Sequence, residues 1–286
     1  MPHLDPFTRQ IAREALYRLS PPSWAVRELG ITLDPWQAEQ VSAPAGSRVA
    51  CLVHRQAGKT TGGSVAVAHT MIHRAPGSTS LVLAPTQKQS AEFVRRLREH
   101  LLKSNRKLIV DNTFGVEIDN GSRCLALPGQ DDAGIRGLTI SGGDLVIDEA
   151  ARVDDRLYDA ARPMLIRYAK TARLMLLSTA WAKDGFFYRV WSEGDPRDWI
   201  KIEAKVDECS HIAPEDIERE RRAMPATVFA REYMNQFDSL ESRFFSTDAI
   251  AAAFGGDLGP TPGSEDGGDD PVLIRESAFT RRQLFA

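Results

Sequence analysis

The residues with the most specific chemistry lie between Val53 and Thr61, where the chain reads Val-His-Arg-Gln-Ala-Gly-Lys-Thr-Thr. The pattern G-x-x-x-x-G-K-[ST] marks a turn whose backbone amides surround phosphate groups. Its second half is intact here, and Val53 stands in place of the first glycine. In such loops the lysine contacts the β- and γ-phosphates and the next hydroxyl binds Mg²⁺. The segment predicts nucleotide hydrolysis, with the nucleotide bound by Gln56, Ala57, Gly58, Lys59, Thr60 and Thr61.

The flanking residues support this interpretation. Residues 48–53 form a short apolar run of strand type, and residues 61–75 contain no proline and are predicted to be helical. A strand, a loop and a helix in this order direct backbone N–H groups and the positive end of the helix dipole toward an anion. The alternative is a chance Gly-Lys-Thr in an ordinary loop.

A second motif occupies residues 143–150, which read Gly-Asp-Leu-Val-Ile-Asp-Glu-Ala. At the end of such an apolar strand, Asp148 is predicted to hold Mg²⁺, usually through water. The adjacent Glu149 is predicted to orient and activate the attacking water. The alternative is a buried strand that ends in solvated acids. The presence of Lys59 makes this alternative less favoured, because nucleotide hydrolysis needs both the phosphate-binding loop and the acidic strand end.

The composition is typical of a soluble globular protein, with 286 residues, 42% hydrophobic, 26% charged and a mean hydropathy of −0.30. No apolar stretch has the length that a membrane-spanning helix needs, and the first six residues do not resemble a signal peptide. The net charge of −3 gives no overall attraction to nucleic acid, so any DNA contact must come from a local patch. Three widely spaced cysteines are predicted to be reduced core residues of a cytosolic protein: Cys51, Cys124 and Cys209.

Helices and strands are predicted to alternate along most of the chain. Asp34 is the predicted N-cap of an early helix with Pro35 at its first position, and the Asn-Gly pair at 120–121 between apolar runs predicts a β-hairpin. Strands that alternate with helices indicate an α/β fold with a mainly parallel sheet flanked by helices, and ligands bind at the carboxyl ends of such strands. Further strands are predicted at 80–84, 144–148, 173–179 and 199–206, and further helices at 7–19, 22–29, 87–103, 154–168, 185–192, 214–223 and 225–236.

Three parts of the chain are predicted. Residues 1–32 form a helical lead-in, residues 33–245 a P-loop ATPase domain, and residues 246–286 a Gly/Asp-rich linker and tail. Residues 255–271 contain six Gly, three Pro and five Asp or Glu, a composition that cannot bury enough apolar surface to order itself. The fifteen residues that follow are too few for another domain.

Seven short motifs occur in a fixed order: Trp36-Gln37, the Arg-Gln-x-Gly-Lys-Thr-Thr loop, Leu83-Ala84-Pro85-Thr86, Gly134-Ile135-Arg136-Gly137, Val146-Ile147-Asp148-Glu149-Ala150, Leu177-Ser178-Thr179-Ala180 and Glu232-Tyr233-Met234-Asn235-Gln236-Phe237. As a set, they resemble the ATPase domain of the large terminase subunit of tailed bacteriophages, the motor that packages DNA into capsids. The resemblance covers residues 20–245 approximately. Each motif alone would be weak.

The resemblance implies a RecA/ASCE-like P-loop core that uses ATP and Mg²⁺, and it implies roles for individual residues. Gln37 resembles the glutamine that reads the adenine edge, although a surface helix residue is the alternative. Arg55 resembles the arginine within the loop that senses the γ-phosphate. Glu149 resembles the catalytic glutamate.

The resemblance assigns two further functions. Ser178 and Thr179 resemble the coupling motif that links hydrolysis to movement, and their alternative is ordinary strand capping. Arg136 lies in a Gly-flanked segment from which it would reach a neighbouring subunit as an arginine finger, a group that stabilises transition-state charge. The alternative is an ion pair between Arg136 and Asp131 or Asp132 that orders the loop.

The partners are also implied by the resemblance. They are double-stranded DNA, the portal protein, the procapsid and the small terminase subunit. A homo-oligomeric ring is expected in the assembly and a monomer in isolation, in the host cytoplasm at the portal vertex. No membrane association is expected.

The chain departs from the family pattern after residue 245. Full-length large terminases carry a second domain, a nuclease that holds metal ions with clustered acids. Two-metal chemistry needs carboxylates held rigidly around ions about 4 Å apart, and here the acids lie in a Gly-rich tail. We expect no nuclease activity from this chain, which is either truncated or a naturally short packaging ATPase. The tail acids are Asp257, Asp266, Asp269 and Asp270.

Two weaker candidates have common explanations. His69 and His73 are four residues apart on a predicted helix, but the glutamate of H-E-x-x-H is replaced by Thr70. Packed or surface histidines are therefore favoured over a zinc site. The basic run at residues 95–98 could contact DNA phosphates, and a solvated helix face is the commoner explanation.

Two other classes of protein share some of these features. A superfamily 2 helicase has a Gly-Lys-Thr loop and an Asp-Glu pair, but it needs a second RecA-like domain, and only 137 residues follow Glu149. A non-catalytic nucleotide-binding scaffold would lack the lysine or the glutamate, and both are present. The sequence favours the packaging ATPase.

Overall fold

The computed structural model describes residues 5–128, 137–209 and 212–238. Eight strands make up the sheet of this part: β1 (Arg48–Val53), β2 (Thr79–Ala84), β3 (Leu108–Asn112), β4 (Gly115–Ile118), β5 (Arg123–Pro128), β6 (Gly142–Asp148), β7 (Arg173–Ser178) and β8 (Ile200–Ala204). Their order is β3-β4-β5-β2-β6-β7-β1-β8. Strands from β5 to β8 in this order run parallel, whereas β4 is antiparallel to both β3 and β5. The predicted mainly parallel sheet is confirmed.

Nine α-helices surround the sheet in the described ranges: α1 (Pro6–Leu19), α2 (Pro21–Trp24), α3 (Pro35–Ser42), α4 (Lys59–His69), α5 (Gln87–Lys103), α6 (Asp155–Ala161), α7 (Gly185–Glu193), α8 (Pro214–Ala223) and α9 (Ala226–Tyr233). None of the helices in these ranges is long and apolar enough to cross a bilayer. Helix α5 begins as its sequence predicts, because Thr86 and Gln89 cap each other's backbone N–H groups at 3.2–3.3 Å.

The core lies on both faces of the sheet. On β1, Val49, Cys51 and Val53 face a cluster formed with α3, α4 and α5, while Ala50 and Leu52 face a second cluster formed with α6 and α7. Five successive buried residues therefore reflect a parallel strand covered on both sides. The three cysteines are buried and free, as expected.

Three predicted helices change type along their length, and one strand was not predicted. The helix expected over 22–29 is α-helical over Pro21–Trp24 and π-helical over Ala25–Leu29. The helix expected over 61–75 begins at Lys59 and changes at Thr70 to a π-helical turn that ends at Arg74. The helix expected over 154–168 ends at Ala161 and continues as a 3-10 helix, Arg162–Tyr168, because Pro163 has no N–H to donate. Strand β3 was not predicted, because its apolar run covers only three residues.

A buried ion cluster lies at the amino end of the sheet. The Arg173 guanidinium bonds both carboxylate oxygens of Asp144, at 2.9 and 3.2 Å, and Arg74 donates to the same carboxylate at 2.6 Å. Asp144 is fully buried and Arg173 is 1% exposed. Burial alone would raise the pKa of Asp144, but the charges of Arg173 and Arg74 outweigh it and hold the pKa below its ordinary value.

Arg173 also bonds four polar groups on neighbouring elements. Its remaining donors reach the carbonyls of Val41, Ala43 and Ala66 and the hydroxyl of Thr70, at 3.0–3.3 Å. A buried charge is tolerated where all its donors and its counter-charge are satisfied. The starts of β6 and β7 are thereby fixed to the ends of α3 and α4.

We expect Asp144→Asn to lower the free energy of unfolding by about 3–5 kcal/mol, because it leaves the buried guanidinium of Arg173 and the partly buried one of Arg74 without their carboxylate. Urea denaturation followed by circular dichroism at pH 7 measures this loss. Since the folded-state pKa of Asp144 is depressed, its contribution is complete at neutral pH and is lost as pH falls through that pKa. The difference between parent and variant should narrow in acid.

The control is Asp216→Asn, which breaks an exposed pair with Arg219 at 3.0 Å. It should change the free energy of unfolding by less than about 1 kcal/mol. Equal losses in the two variants would show that the buried cluster has no special weight.

Candidate functional site

The strand order brings the two sequence motifs together. Strand β7 lies between β1 and β6 and is parallel to both. Lys59 and Thr60 follow β1, Asp148 ends β6, and Ser178 ends β7. The chemically distinctive residues thus meet at the carboxyl edge of three adjacent strands, where ligands of such sheets bind.

The loop before α4 has the backbone conformation of a phosphate-binding turn. Gln56 and Gly58 have φ values of 63° and 89°, in the left-handed region. Gly58 precedes the first residue of α4, so the free N–H groups of the helix start point into the loop. The Gly-Lys-Thr end of the motif is therefore positioned to bind an anion.

His54 fixes the base of this loop. Its Nδ1 lies 2.6 Å from the Arg55 carbonyl, which can only accept, so Nδ1 carries the proton. Its Nε2 then accepts from the Cys209 thiol at 2.8 Å. Burial raises the pKa of that thiol to about 11, which keeps it protonated as a donor. No sequence pattern indicates this contact, because the partners are far apart in the chain.

Four of the predicted site residues form two contacts with one another. The Thr60 hydroxyl donates to Asp148 Oδ2 at 2.9 Å, and Lys59 Nζ lies 3.5 Å from Glu149 Oε1. Burial, together with the negative charge of Glu149, raises the pKa of Asp148 to about 6, although Lys59 acts in the opposite direction. Two carboxylates, one ammonium group and one hydroxyl therefore converge in a poorly solvated site.

Glu149 and Ser178 are held by local contacts. Glu149 has a φ of 53°, a conformation that is strained for a residue with a Cβ. It precedes a 3-10 turn, Ala150–Arg152, in which the Ala151 N–H donates to Ser178 Oγ at 3.0 Å. The hydroxyl at the end of β7 thus supports the turn that follows the two carboxylates. Thr179 is 3% exposed beside it.

Gln37 lies against the phosphate loop. Its Nε2 donates to the Gly58 carbonyl at 3.2 Å and its Oε1 accepts from the Asp34 N–H at 3.0 Å. The side chain is 7% exposed. It is therefore not a surface residue, and its role toward adenine stays a prediction.

Two glycines allow α4 to pack closely against its neighbours. A Cβ on Gly62 would lie 2.5 Å from Gln40 Oε1, and one on Gly63 would lie 2.8 Å from Leu177 Cδ1. Helix α4 therefore approaches α3 and β7 more closely than any other residue would permit at these positions.

Arg55 is held by two contacts with Glu232 on α9. Its backbone N–H donates to the Glu232 carbonyl at 2.7 Å, and its guanidinium lies 3.6 Å from the Glu232 carboxylate. The Arg55 side chain is 64% exposed, whereas that of Glu232 is 8% exposed. Nearby, Asn235 donates to the carbonyls of Leu52 and Ala204. The predicted motif at 232–237 thus anchors the loop, a role that its sequence did not reveal.

The other candidate residues take no part in these contacts or lie outside the described ranges. Arg136 lies outside the described residues. The basic run on α5 is largely neutralised by acids, since Arg95 and Arg96 pair with Glu92, and Arg98 pairs with Asp111. His69 and His73 pack against Trp24. Within the described ranges no group of three or more His, Cys, Asp or Glu side chains could hold a metal.

A phosphate loop and an acidic strand end, separated by one further parallel strand, define the P-loop NTPase fold. A family model of the N-terminal part of T4likevirus-type terminase large subunits matches residues 51–252. The chain belongs to this family of terminase large subunits. No curated protein sequence matches it.

Solved structures share the fold at low sequence identity. The large terminase ATPase domain of Thermus phage P74-26 aligns with a TM-score of 0.63 and 20% identity, over 77% of this chain and 100% of that one. The large terminase of another thermophilic bacteriophage, in complex with ATP-gamma-S, gives 0.60 and 12%, over 71% and 52%. The HK97 bacteriophage large terminase gives 0.62 and 15%, over 77% and 55%. The chain thus spans about half the length of the last two of these terminases.

Gly58→Ala should destabilise the protein more than Gly121→Ala. Both glycines have left-handed φ values, 89° and 79°, so both variants lose about 1–2 kcal/mol. Only at Gly58 would the new Cβ meet Gln37 Nε2, at 2.8 Å, while the space around Gly121 is open. The loss of the Gln37 hydrogen bonds should add about 1 kcal/mol in urea denaturation.

A Gln37→Ala background provides the control. There, Gly58→Ala and Gly121→Ala should cost the same free energy of unfolding. A difference that persists in this background would mean that Gln37 does not hold the loop.

Proposed function

We propose that this chain is the ATPase motor of viral DNA packaging, which hydrolyses ATP to move double-stranded DNA into a procapsid. The observation that carries the proposal is the pair of contacts Thr60–Asp148 and Lys59–Glu149 at the carboxyl edge of the parallel strands. Membership of the terminase large subunit family supports the packaging role. Similarity to a terminase solved with ATP-gamma-S supports ATP as the nucleotide.

The donor set fits Mg²⁺. A hydroxyl and a carboxylate oxygen lie 2.9 Å apart, and the carboxylate has a raised pKa that a nearby cation would lower. Mg²⁺ prefers oxygen ligands and is bound by one or two carboxylates together with substrate phosphates. Thr60 and Asp148 would hold it, and it would neutralise charge on the phosphate oxygens.

Each residue of the site has a distinct task in hydrolysis. Lys59 would move from Glu149 to the β- and γ-phosphates, which leaves Glu149 available to orient and deprotonate water. The amides of residues 56–61 would bind the phosphates. Arg55 would contact the γ-phosphate, and Gln37 the adenine. Ser178 and Thr179 would link the turn after Glu149 to movement.

Assembly follows the family. The proposed partners are DNA, the portal protein, the procapsid and the small terminase subunit, in a ring at the portal vertex in the host cytoplasm. Arg136 is proposed as the finger that acts on a neighbouring subunit.

Lys59→Ala should reduce ATP turnover by at least about a hundredfold, since it removes a preorganised charge from the transferring phosphoryl group. Glu149→Gln should retain ATP binding and lose hydrolysis to a similar extent, because the amide cannot accept the proton of the water. Phosphate release measures turnover, and equilibrium titration with ATP measures binding. Glu149→Gln with the parent rate would overturn the catalytic assignment.

The matched controls are Lys170→Ala and Glu193→Gln, which make the same changes on exposed residues. Both should retain parent turnover. A loss in these variants would show that the assay reports on general stability.

Duplex DNA, and more strongly portal with procapsid, should increase ATP turnover by this chain. Strand displacement on a forked DNA should be absent, because a packaging motor moves along an intact duplex. Displacement that depends on ATP and disappears in Glu149→Gln would favour the helicase alternative.

A further inference from the structure

Two guanidinium groups lie against the indole ring of Trp181. Arg152 Cζ is 4.2 Å and Arg231 Cζ is 5.0 Å from the centre of the indole ring. An indole attracts cations at such distances more strongly than any other side-chain ring. Trp181 follows Ser178 and Thr179 by only a few residues, so this cluster adjoins the end of β7.

One of the two arginines belongs to the turn of the catalytic glutamate. Arg152 is the last residue of the 3-10 turn that Glu149 precedes, and its N–H donates to the Glu149 carbonyl at 2.8 Å. The position of the Arg152 guanidinium is therefore tied to the strained backbone of Glu149.

The other arginine belongs to the helix that anchors the phosphate loop. Arg231 donates to the Glu232 carboxylate at 3.1 Å. The Glu232 carbonyl in turn accepts the Arg55 N–H at 2.7 Å. A chain of contacts therefore runs from Glu149 through Trp181 to Arg55.

The backbone around Trp181 is hydrogen-bonded to the segment that follows α9. The Trp181 carbonyl accepts from the Asp238 N–H at 2.8 Å, and the Lys183 N–H donates to the Asp238 carbonyl at 2.9 Å. Arg231 also donates to the Asp238 carboxylate at 2.7 Å. The segment after β7 and the segment after α9 thus form one unit.

We propose that Trp181 is a positioning residue for ATP hydrolysis, whose ring holds the turn of Glu149 and the loop of Arg55 in a fixed spatial relation. This inference rests on the proposed function. Glu149 and Arg55 are the two groups that the proposed mechanism places on the attacking water and on the γ-phosphate. Trp181 therefore matters for a nucleotide with a γ-phosphate and not for ADP.

The experiment compares Trp181→Leu and Trp181→Phe with the parent in the full chain. Trp181→Leu should lower kcat for ATP by about tenfold to a hundredfold, since misplacement of catalytic groups by about 1 Å has effects of that size. It should weaken binding of ATP-gamma-S while ADP affinity stays within about twofold. Trp181→Phe retains an aromatic face and should restore most of kcat.

Trp191→Leu is the matched control, because it removes a partly buried indole on α7 that the contact chain does not include. It should leave kcat and the ratio of ATP-gamma-S to ADP affinity unchanged. If Trp181→Leu does not fold, Arg152→Met and Arg231→Met replace it, and each should lower kcat with ADP affinity retained.

Two results would overturn the inference. One is a Trp181→Leu protein with parent kcat, and the other is an equal loss of ADP and ATP-gamma-S affinity, which a purely structural role would cause. A parent chain that binds both nucleotides without turnover would instead contradict the proposed function. The binding comparison would still test Trp181 in that case.

Discussion

The buried guanidinium of Arg173 is the constraint on which the alignment of the site depends. It joins Asp144 at the start of β6 to the ends of α3 and α4, and Arg173 itself starts β7. From Asp144, four residues of extended chain cover about 13 Å to Asp148. Helix α4 runs back from its contact with Arg173 to Lys59 at the opposite edge. One charge at the amino edge therefore sets the register of elements that meet at the carboxyl edge.

At that edge, the charges of the site satisfy one another. Lys59 lies next to Glu149, and Thr60 bonds Asp148. A bound phosphate would replace Glu149 as the partner of Lys59. The Glu149 carboxylate would then be available to act on water. The left-handed conformations of Gln56 and Glu149 require the surrounding contacts of His54, Glu232 and Ser178 to persist. A preorganised geometry of this kind is what phosphoryl transfer needs from a protein.

The sequence was sufficient for the features that depend on neighbouring residues. The phosphate loop, the acidic strand end, the Asn-Gly hairpin and the α/β alternation each follow from local chemistry, and the structure confirms the hairpin and the alternation. The sequence was insufficient where residues that are distant in the chain meet. Strand β3 is held by pairing with β4 and not by its own short apolar run. The contacts of His54 with Cys209, of Glu232 with Arg55 and of Arg152 with Trp181 join segments whose proximity only the folded chain creates.

The glycine pair in α4 has a consequence for dynamics. Gly62 and Gly63 each cost the helix about 1 kcal/mol relative to alanine, so α4 has little intrinsic helicity and depends on packing against α3 and β7. We expect this first turn to open locally at a lower free energy than the whole protein unfolds. A ligand that binds the ordered turn would stabilise it by mass action. We therefore expect bound nucleotide to slow amide hydrogen exchange in α4 under conditions in which the sheet stays folded.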